Sequence, residues 1–311
     1  MSFAGRDIGT WRLSTRALQL GTHTLVMGVV NITPDSFSDG GLFLAPEAAV
    51  AHAMRLLDEG ADLLDLGAES TRPGSCAGGD APSVSTEEEQ ARLLPVLEGI
   101  LRARPGTIVS IDTYKAATAR AALRQGAEIV NDVSGFTWDG EMAAACAEFG
   151  AGIVLTHTRG RPDEWRAQTH LEPDILLGVV RAGLEASFAT AAAAGIPPEA
   201  VVLDPGYGFG KRFDENYALL ARQAELLALG RPLLAGVSRK SFLRRTLAPL
   251  HGSGDPAEVL LQTHQTASLA AMTAAILNGA SIVRVHEVHQ AVEGARIADA
   301  ILAAGRPAAN S

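Results

Sequence analysis

The chain has 311 residues, 47% of them hydrophobic, with 26 Lys and Arg against 35 Asp and Glu and a formal charge of −9. That balance argues against a nucleic-acid binder, which needs a basic surface for many phosphate contacts, and it fits one large domain or two ordinary ones, since single α/β barrels run to about 250 residues. Two cysteines, Cys76 and Cys146, make no disulfide framework, no uninterrupted apolar run reaches the roughly 18 residues of a membrane helix, and MSFAGRDIGTW lacks a signal-peptide core, so a cytoplasmic protein without a membrane partner is expected.

Residues 1–22 read as an N-terminal extension, residues 23–305 as one domain and residues 306–311 as a frayed tail. The first buried strand is TLVMGVVN, residues 24–31, which gives way to the polar, Gly-bearing NITPDSFSDGG. Pro46 suits the first turn of the helical pattern PEAAVAHAMRLLDE. A phrase then recurs four times: GADLLDLG from Gly60, GAEIVNDVSG from Gly126, GAGIVLTHT from Gly150 and GASIVRVH from Gly279. Each follows a helical pattern and runs into a short apolar strand, with Gly suited to the helix C′ position. Ser85 and Glu88 have capping-box spacing, and Thr113 reads as an N-cap.

The strand candidates are 24–31, 62–67, 108–112, 128–133, 152–157, 201–204, 232–237 and 281–286. Helical patterns separate most of them, and they are nearly continuous in Val, Leu and Ile, as in a parallel sheet covered on both faces. Eight such units without a dinucleotide fingerprint favour a closed (β/α)8 TIM barrel of the α/β class; an open sheet is the alternative, because periodicity cannot show closure. The Gly-, Pro- and Ser-rich stretch from Ala68 to Ser85 reads as a loop over a site.

Polar residues gather at the strand ends. Asn31 closes the first strand, Asp112 the third and Asp204 the sixth; Asn131 and Asp132 lie in the fourth, and His157 ends the fifth. Ser238, Arg239 and Lys240 follow the seventh, and Arg284 and His286 share one side of the eighth. In such a barrel these ends form the active site. Each residue alone also fits a structural role, most readily Asp112, Thr113 and Asp132. His157 also fits a satisfied core histidine, Phe37 and Phe209 ordinary packing, GYGFG a flexible turn, and Asp35 and Asp39 turn formers. Carboxylates such as Asp112 and Asp204 suit the N–H edge of an aminopyrimidinone, with Lys240 a donor to the ring and Arg284 able to stack on it. His286, Asn31 and Arg72 suit phosphate oxygens, and the Asn31 carbonyl also suits Mg²⁺.

NITPDSFSDGG, AESTRPGS, SIDTYKA, VNDVSG, LDPGYGFGK, GVSRKSF and IVRVH, in this order, resemble dihydropteroate synthase over about Met27 to His286. One such motif would be weak evidence, but seven in register are specific, and the resemblance implies a (β/α)8 barrel and a homodimer. It implies condensation of 6-hydroxymethyl-7,8-dihydropterin diphosphate with 4-aminobenzoate, releasing diphosphate. It places Asp112, Asn131, Asp204, Lys240 and Arg284 on the pterin, and Thr71, Arg72, Pro73, Phe209 and Ser241 around the aminobenzoate. Asn31, Arg72, Arg284 and His286 would meet the diphosphate, Asn31 would also meet Mg²⁺, and Arg284, His286 and Lys240 would carry the catalysis. The loops after Asn31 and around Thr71 to Gly74 would act as lids. Two departures stand out: Thr156 and Thr158 flank His157 where the family commonly has Met, and Glu287 follows His286 where Asp is usual. A pterin-dependent methyltransferase and a non-catalytic pterin binder are the alternative readings.

Overall fold

A computed structural model of the chain describes residues 6, 8–32, 46–71, 75–79, 84–247 and 256–305, without the side chains of 256–263. The expected lid after Asn31, residues Arg72, Pro73 and Gly74 of the second loop, and the tail 306–311 lie outside the described residues.

A hairpin of β1 (Gly9–Arg12) and β2 (Ala17–Leu20) precedes the barrel. Then follow β3 (Leu25–Asn31), α1 (Pro46–Asp58), β4 (Leu63–Gly67), α2 (Thr86–Ala103), β5 (Val109–Asp112), α3 (Ala116–Arg124), β6 (Ile129–Asp132) and α4 (Met142–Phe149). The second half comprises β7 (Gly152–Thr156), α5 (Pro173–Ala193), β8 (Val201–Asp204), α6 (Glu215–Arg222), β9 (Leu233–Ala235), α7 (Ser241–Leu247), α8 (Pro256–Leu277), β10 (Ala280–Val285) and α9 (Val288–Ala304). Strands β3 to β10 pair in sequence, and β10 returns to β3, so the sheet closes into a parallel barrel. All the expected strands form, with ends within one or two residues of those read from the sequence.

Closure follows from two apolar faces. Outward side chains such as Val26, Leu64, Leu66, Val130, Leu155 and Val283 join the helices in one large core. Inward side chains at the strand starts, including Met27, Leu63, Ile129, Val154, Val202 and Ile282, form a second core. The N-terminal segment is part of this second core. Trp11, Leu13 and Leu20 of the hairpin are almost fully buried against it, and the Trp11 indole N–H donates to the Ala200 carbonyl at 2.9 Å. The hairpin therefore plugs the barrel at the end where the strands begin.

Local signals mostly act as expected. Pro46 opens α1, and Ser85 caps α2, its hydroxyl accepting the Glu88 N–H at 3.2 Å. Gly279, φ 97°, turns the chain into β10, and a Cβ there would meet Leu227 at 2.6 Å. Thr113 is not the N-cap of α3: Lys115 occupies that position, while the Thr113 hydroxyl accepts the Lys115 N–H and donates to Glu89. Helix α5 has the length and composition of a membrane span, but Leu176, Val180 and Leu184 are buried in the core shared with the barrel.

Candidate active site

The barrel register decides which polar residues meet. Asn31 lies beside Gly67, Gly67 beside Asp112, and Asp112 beside Asn131. Thr156 lies beside Asp204 on the next pair of strands. These positions share the inward phase of Met27, Leu63, Ile129, Val154 and Val202, two or four residues further along each strand. Alternation thus lays a polar tier on top of the apolar one, at the strand ends where barrel sites form.

Arg284 binds this tier together. Its Nε lies 2.5 Å from Asp65 Oδ2 and its Nη2 lies 2.7 Å from Asp112 Oδ2. Asn131 donates to the same Asp65 oxygen at 3.1 Å. Asp65 is fully buried, and its other oxygen has no hydrogen-bond partner among the described residues. Burial pushes the Asp112 carboxyl up to about 7, against the pull of Arg284 and with the push of Asp65. Burial opposes the Arg284 charge, yet Asp65 and Asp112 carry its pKa above the ordinary value.

Asp204 and Lys240 face each other electrostatically on the opposite side. Burial raises the Asp204 pKa, offset by the Gly206 N–H at 2.7 Å and then by Lys240. Burial brings Lys240 down to about 8, against the pull of Asp204. GYGFG is a built turn. Gly206 has φ 73°, and a Cβ there would lie 1.9 Å from the His157 carbonyl; Asn216 accepts the Gly208 N–H at 2.7 Å. Lys211 is buried behind this turn and donates to the His157 carbonyl at 2.7 Å.

His286 stands on the rim. Its Nδ1 is 2.9 Å from the Ser238 hydroxyl, which also reaches Glu287 at 3.4 Å. Arg239 grips Glu287 at 2.7 Å through Nε from a left-handed backbone, φ 57°. Glu287 thus reaches His286 only through the Ser238 hydroxyl, and its closer partner is Arg239. Burial holds the His286 pKa well below the ordinary histidine value, and Arg239, Arg284 and Lys240 hold it lower still.

The remaining expected residues divide. Phe209 is half-buried with Lys240 Nζ 3.8 Å from its ring centroid, Thr71 is half-buried, and Ser241 is exposed at the start of α7. His157 packs its ring against Gly183 of α5, outside the polar tier, as a buried histidine whose Nδ1 has no hydrogen-bond partner among the described residues, so it is not the satisfied core histidine expected. Asp132 accepts the N–H groups of Ser134 and Phe136 at 2.8 Å each, which makes it a turn former. Thr156 is buried beside Asp204, whereas Thr158 donates to the Gly160 carbonyl, so one threonine of the pair belongs to the tier. Asp65 went unnoticed in the sequence. Its signal is a carboxylate inside the apolar LLDLG, in phase with Leu63.

A sequence profile described as "Pterin binding enzyme" matches residues 27–286. Dihydropteroate synthase from Mycobacterium leprae is 43% identical over 280 residues, 90% of this chain and 94% of that protein. The chain belongs to the dihydropteroate synthase family. Another member, from Synechocystis, is 41% identical over 281 residues, 90% of this chain and 91% of its own length. Among solved structures, the family member from Xanthomonas albilineans in complex with 7,8-dihydropteroate superposes with a TM-score of 0.77 at 35% identity, covering 95% of this chain and 99% of that one. The closed barrel is thus the fold of a family of transferases.

Proposed function

We propose that the chain joins 4-aminobenzoate to 6-hydroxymethyl-7,8-dihydropterin diphosphate and releases diphosphate, making dihydropteroate for folate synthesis. The observation that carries this reading is the convergence of Asp112, Asn131, Asp204, Lys240 and Arg284 on one barrel mouth, coupled through Arg284 and Lys240. Membership of the family and the dihydropteroate complex of the Xanthomonas albilineans relative support it. A homodimer in the cytoplasm belongs to the same proposal.

The pterin would lie on the polar tier, its N–H groups on Asp204 and Asp112, its acceptors on Asn131 and Lys240. Arg284 would exchange part of its carboxylate pairing for the ring face and the diphosphate. Asn31 and His286 would hold diphosphate oxygens; with Nδ1 turned to Ser238, Nε2 would be the nitrogen offered. Arg72 would join them from the second loop. Thr71, Pro73, Phe209 and Ser241 would line the aminobenzoate pocket.

Magnesium fits Asn31. The amide is half-buried at the strand end and makes no side-chain hydrogen bond among the described residues. A Mg²⁺ ion would be held here by the Asn31 amide oxygen, an oxygen donor of the kind this hard cation takes. When bound, it would supply positive charge to the leaving diphosphate.

In the step itself the methylene–oxygen bond breaks and its electrons leave with diphosphate. The arylamine lone pair forms the carbon–nitrogen bond, and the resulting ammonium gives its proton to water. Arg284, His286 and Lys240 would stabilise the charge that gathers on the departing oxygen, and ionised Asp112 the positive charge that spreads into the pterin. A neutral arylamine needs no strong base. The test is to mix the purified protein with pterin diphosphate, Mg²⁺ and 4-aminobenzoate and to measure diphosphate. Release that depends on aminobenzoate supports the reading; tight pterin binding without turnover would replace it with a non-catalytic pterin binder.

A further inference from the structure

The connection between β7 and α5, residues 158–172, folds into a unit of its own. It carries one short 3-10 turn, Trp165–Ala167. The Glu164 carboxylate accepts the Arg161 N–H at 2.8 Å, and the Gln168 amide donates to the Arg159 carbonyl at 3.0 Å. Glu215, which opens α6 and is 1% exposed, fastens this unit to its neighbour. Its carboxylate accepts the Leu171 N–H at 2.7 Å near the end of the unit and meets Arg159 at 3.2 Å near the start. The same carboxylate takes the Arg212 N–H, two residues past GYGFG. One buried acid thus holds the connection after β7 against the connection after β8.

Two aromatic rings meet where these connections touch. Trp165 is 6% exposed, and its indole N–H donates to the Gly160 carbonyl at 3.0 Å, which fixes the indole within its unit. The Phe209 ring lies 5.2 Å away, centroid to centroid, tilted by 56°. The backbone here is held as well. The Phe209 carbonyl accepts the Arg159 N–H at 3.4 Å, and Gly210, φ 68°, passes so close that a Cβ would lie 2.6 Å from the Arg159 carbonyl. Phe209 is half-buried, and Lys240 Nζ stands 3.8 Å from its ring centroid at the barrel mouth.

We propose that Trp165 is a positioning residue that sets specificity for the second substrate: acting through Phe209, it fixes the plane of the ring against which the aminobenzoate would rest. This inference rests on the synthase reading, which makes Phe209 a contact of that substrate. The physical basis is preorganisation. A phenyl ring that is only half-buried changes rotamer readily, and the indole packed on it removes that freedom before a ligand arrives. A flat ligand then meets a wall of set orientation. How far the wall yields decides how well a bare ring is told from a substituted one. Pterin recognition does not depend on the indole, because Asp112, Asn131 and Asp204 stand on strands and Asp204 attracts Lys240 by itself.

The test compares Trp165→Leu, which keeps a large apolar side chain and so spares the fold, with Trp165→Phe, which keeps a ring. Both lose the bond to Gly160, so the difference between them isolates the ring. In Trp165→Leu, kcat/KM for 4-aminobenzoate falls about tenfold, mostly through KM. The preference for 4-aminobenzoate over 3-methyl-4-aminobenzoate, taken as a ratio of kcat/KM values, narrows by about fivefold or more. Trp165→Phe restores most of both. The affinity for 6-hydroxymethylpterin, followed by the fluorescence of the pterin itself, stays within about twofold of wild type in both variants. In NMR of protein carrying ring-labelled phenylalanine, the Phe209 signal, assigned with Phe209→Leu, moves in Trp165→Leu. An unchanged KM with an unchanged preference in folded Trp165→Leu overturns the proposal, as does pterin affinity falling in parallel. A wild type without turnover ends the synthase reading by itself, whereas an unmoved Phe209 signal sinks the hold of Trp165 on that ring whatever the turnover.

Discussion

Replacing Asp65 with Asn tests the centre of the polar tier. Asn keeps the volume and removes a fully buried charge that Arg284 meets at 2.5 Å and Asn131 at 3.1 Å. Breaking a buried ion pair costs roughly 3–5 kcal/mol, and losing a hydrogen bond to a charged group about 1.5–3 kcal/mol. Arg284 keeps Asp112 at 2.7 Å, and its side chain is 19% exposed, so the lower range applies: about 1.5–3 kcal/mol in a denaturant titration. The pH dependence is the sharper readout. Burial is the largest cause of the raised Asp112 pKa, and the negative charge of Asp65 adds to it. With residue 65 neutral, Arg284 serves Asp112 alone and the Asp112 pKa moves down from about 7. Turnover that needs ionised Asp112 falls as pH drops through that pKa, so the acid limb of kcat/KM for diphosphate release shifts to lower pH in Asp65→Asn. An acid limb that stays in place, with unchanged stability, would refute the view that Asp65, Arg284 and Asp112 act as one unit.

Asp112→Asn exchanges function for stability. The Asp112 carboxyl is raised from 3.8 to about 7, so its contribution to stability is present at low pH and lost as pH rises through that window. With 21% of the side chain exposed, the neutral variant should gain about 1–3 kcal/mol in the ligand-free protein at pH 8, measured by denaturant titration, while turnover falls about 100-fold. Lys240→Ala should weaken both pterin and aminobenzoate binding in calorimetric titrations, since Lys240 lies over Phe209 and beside Asp204; wild-type turnover would remove it from the site. Trp11→Ala should cost about 3–5 kcal/mol in a denaturant titration through the cavity left in the plug, with pterin affinity preserved. Chelation by EDTA should abolish diphosphate release and Mg²⁺ should restore it, whereas metal-independent turnover would remove the ion from Asn31.

Much of this was readable because two periodicities coincide. Helix-then-strand alternation gives the barrel, and the two-residue period within each strand selects the inward side chains, so Asp112, Asn131, Asp204 and Arg284 were found by position and type. Asp65 escaped because it sits two residues below the strand end, inside an apolar word read as core. The hairpin escaped for a different reason. TWRL and ALQL are too short to announce strands, and their partner surface is the base of a barrel assembled from residues far along the chain. The roles of Thr156 and Thr158 could be separated only once the strand phase was known.

The plug under the barrel has a kinetic consequence. With Trp11 and Leu20 filling the base, a ligand bound for Asp65 and Asn131 has to enter from the strand-end side and leave by it. A molecule seated high would bar a molecule bound for the floor. On the proposed function the deeper reactant would be admitted first, and a pre-steady-state experiment showing aminobenzoate bound ahead of the pterin would contradict that order.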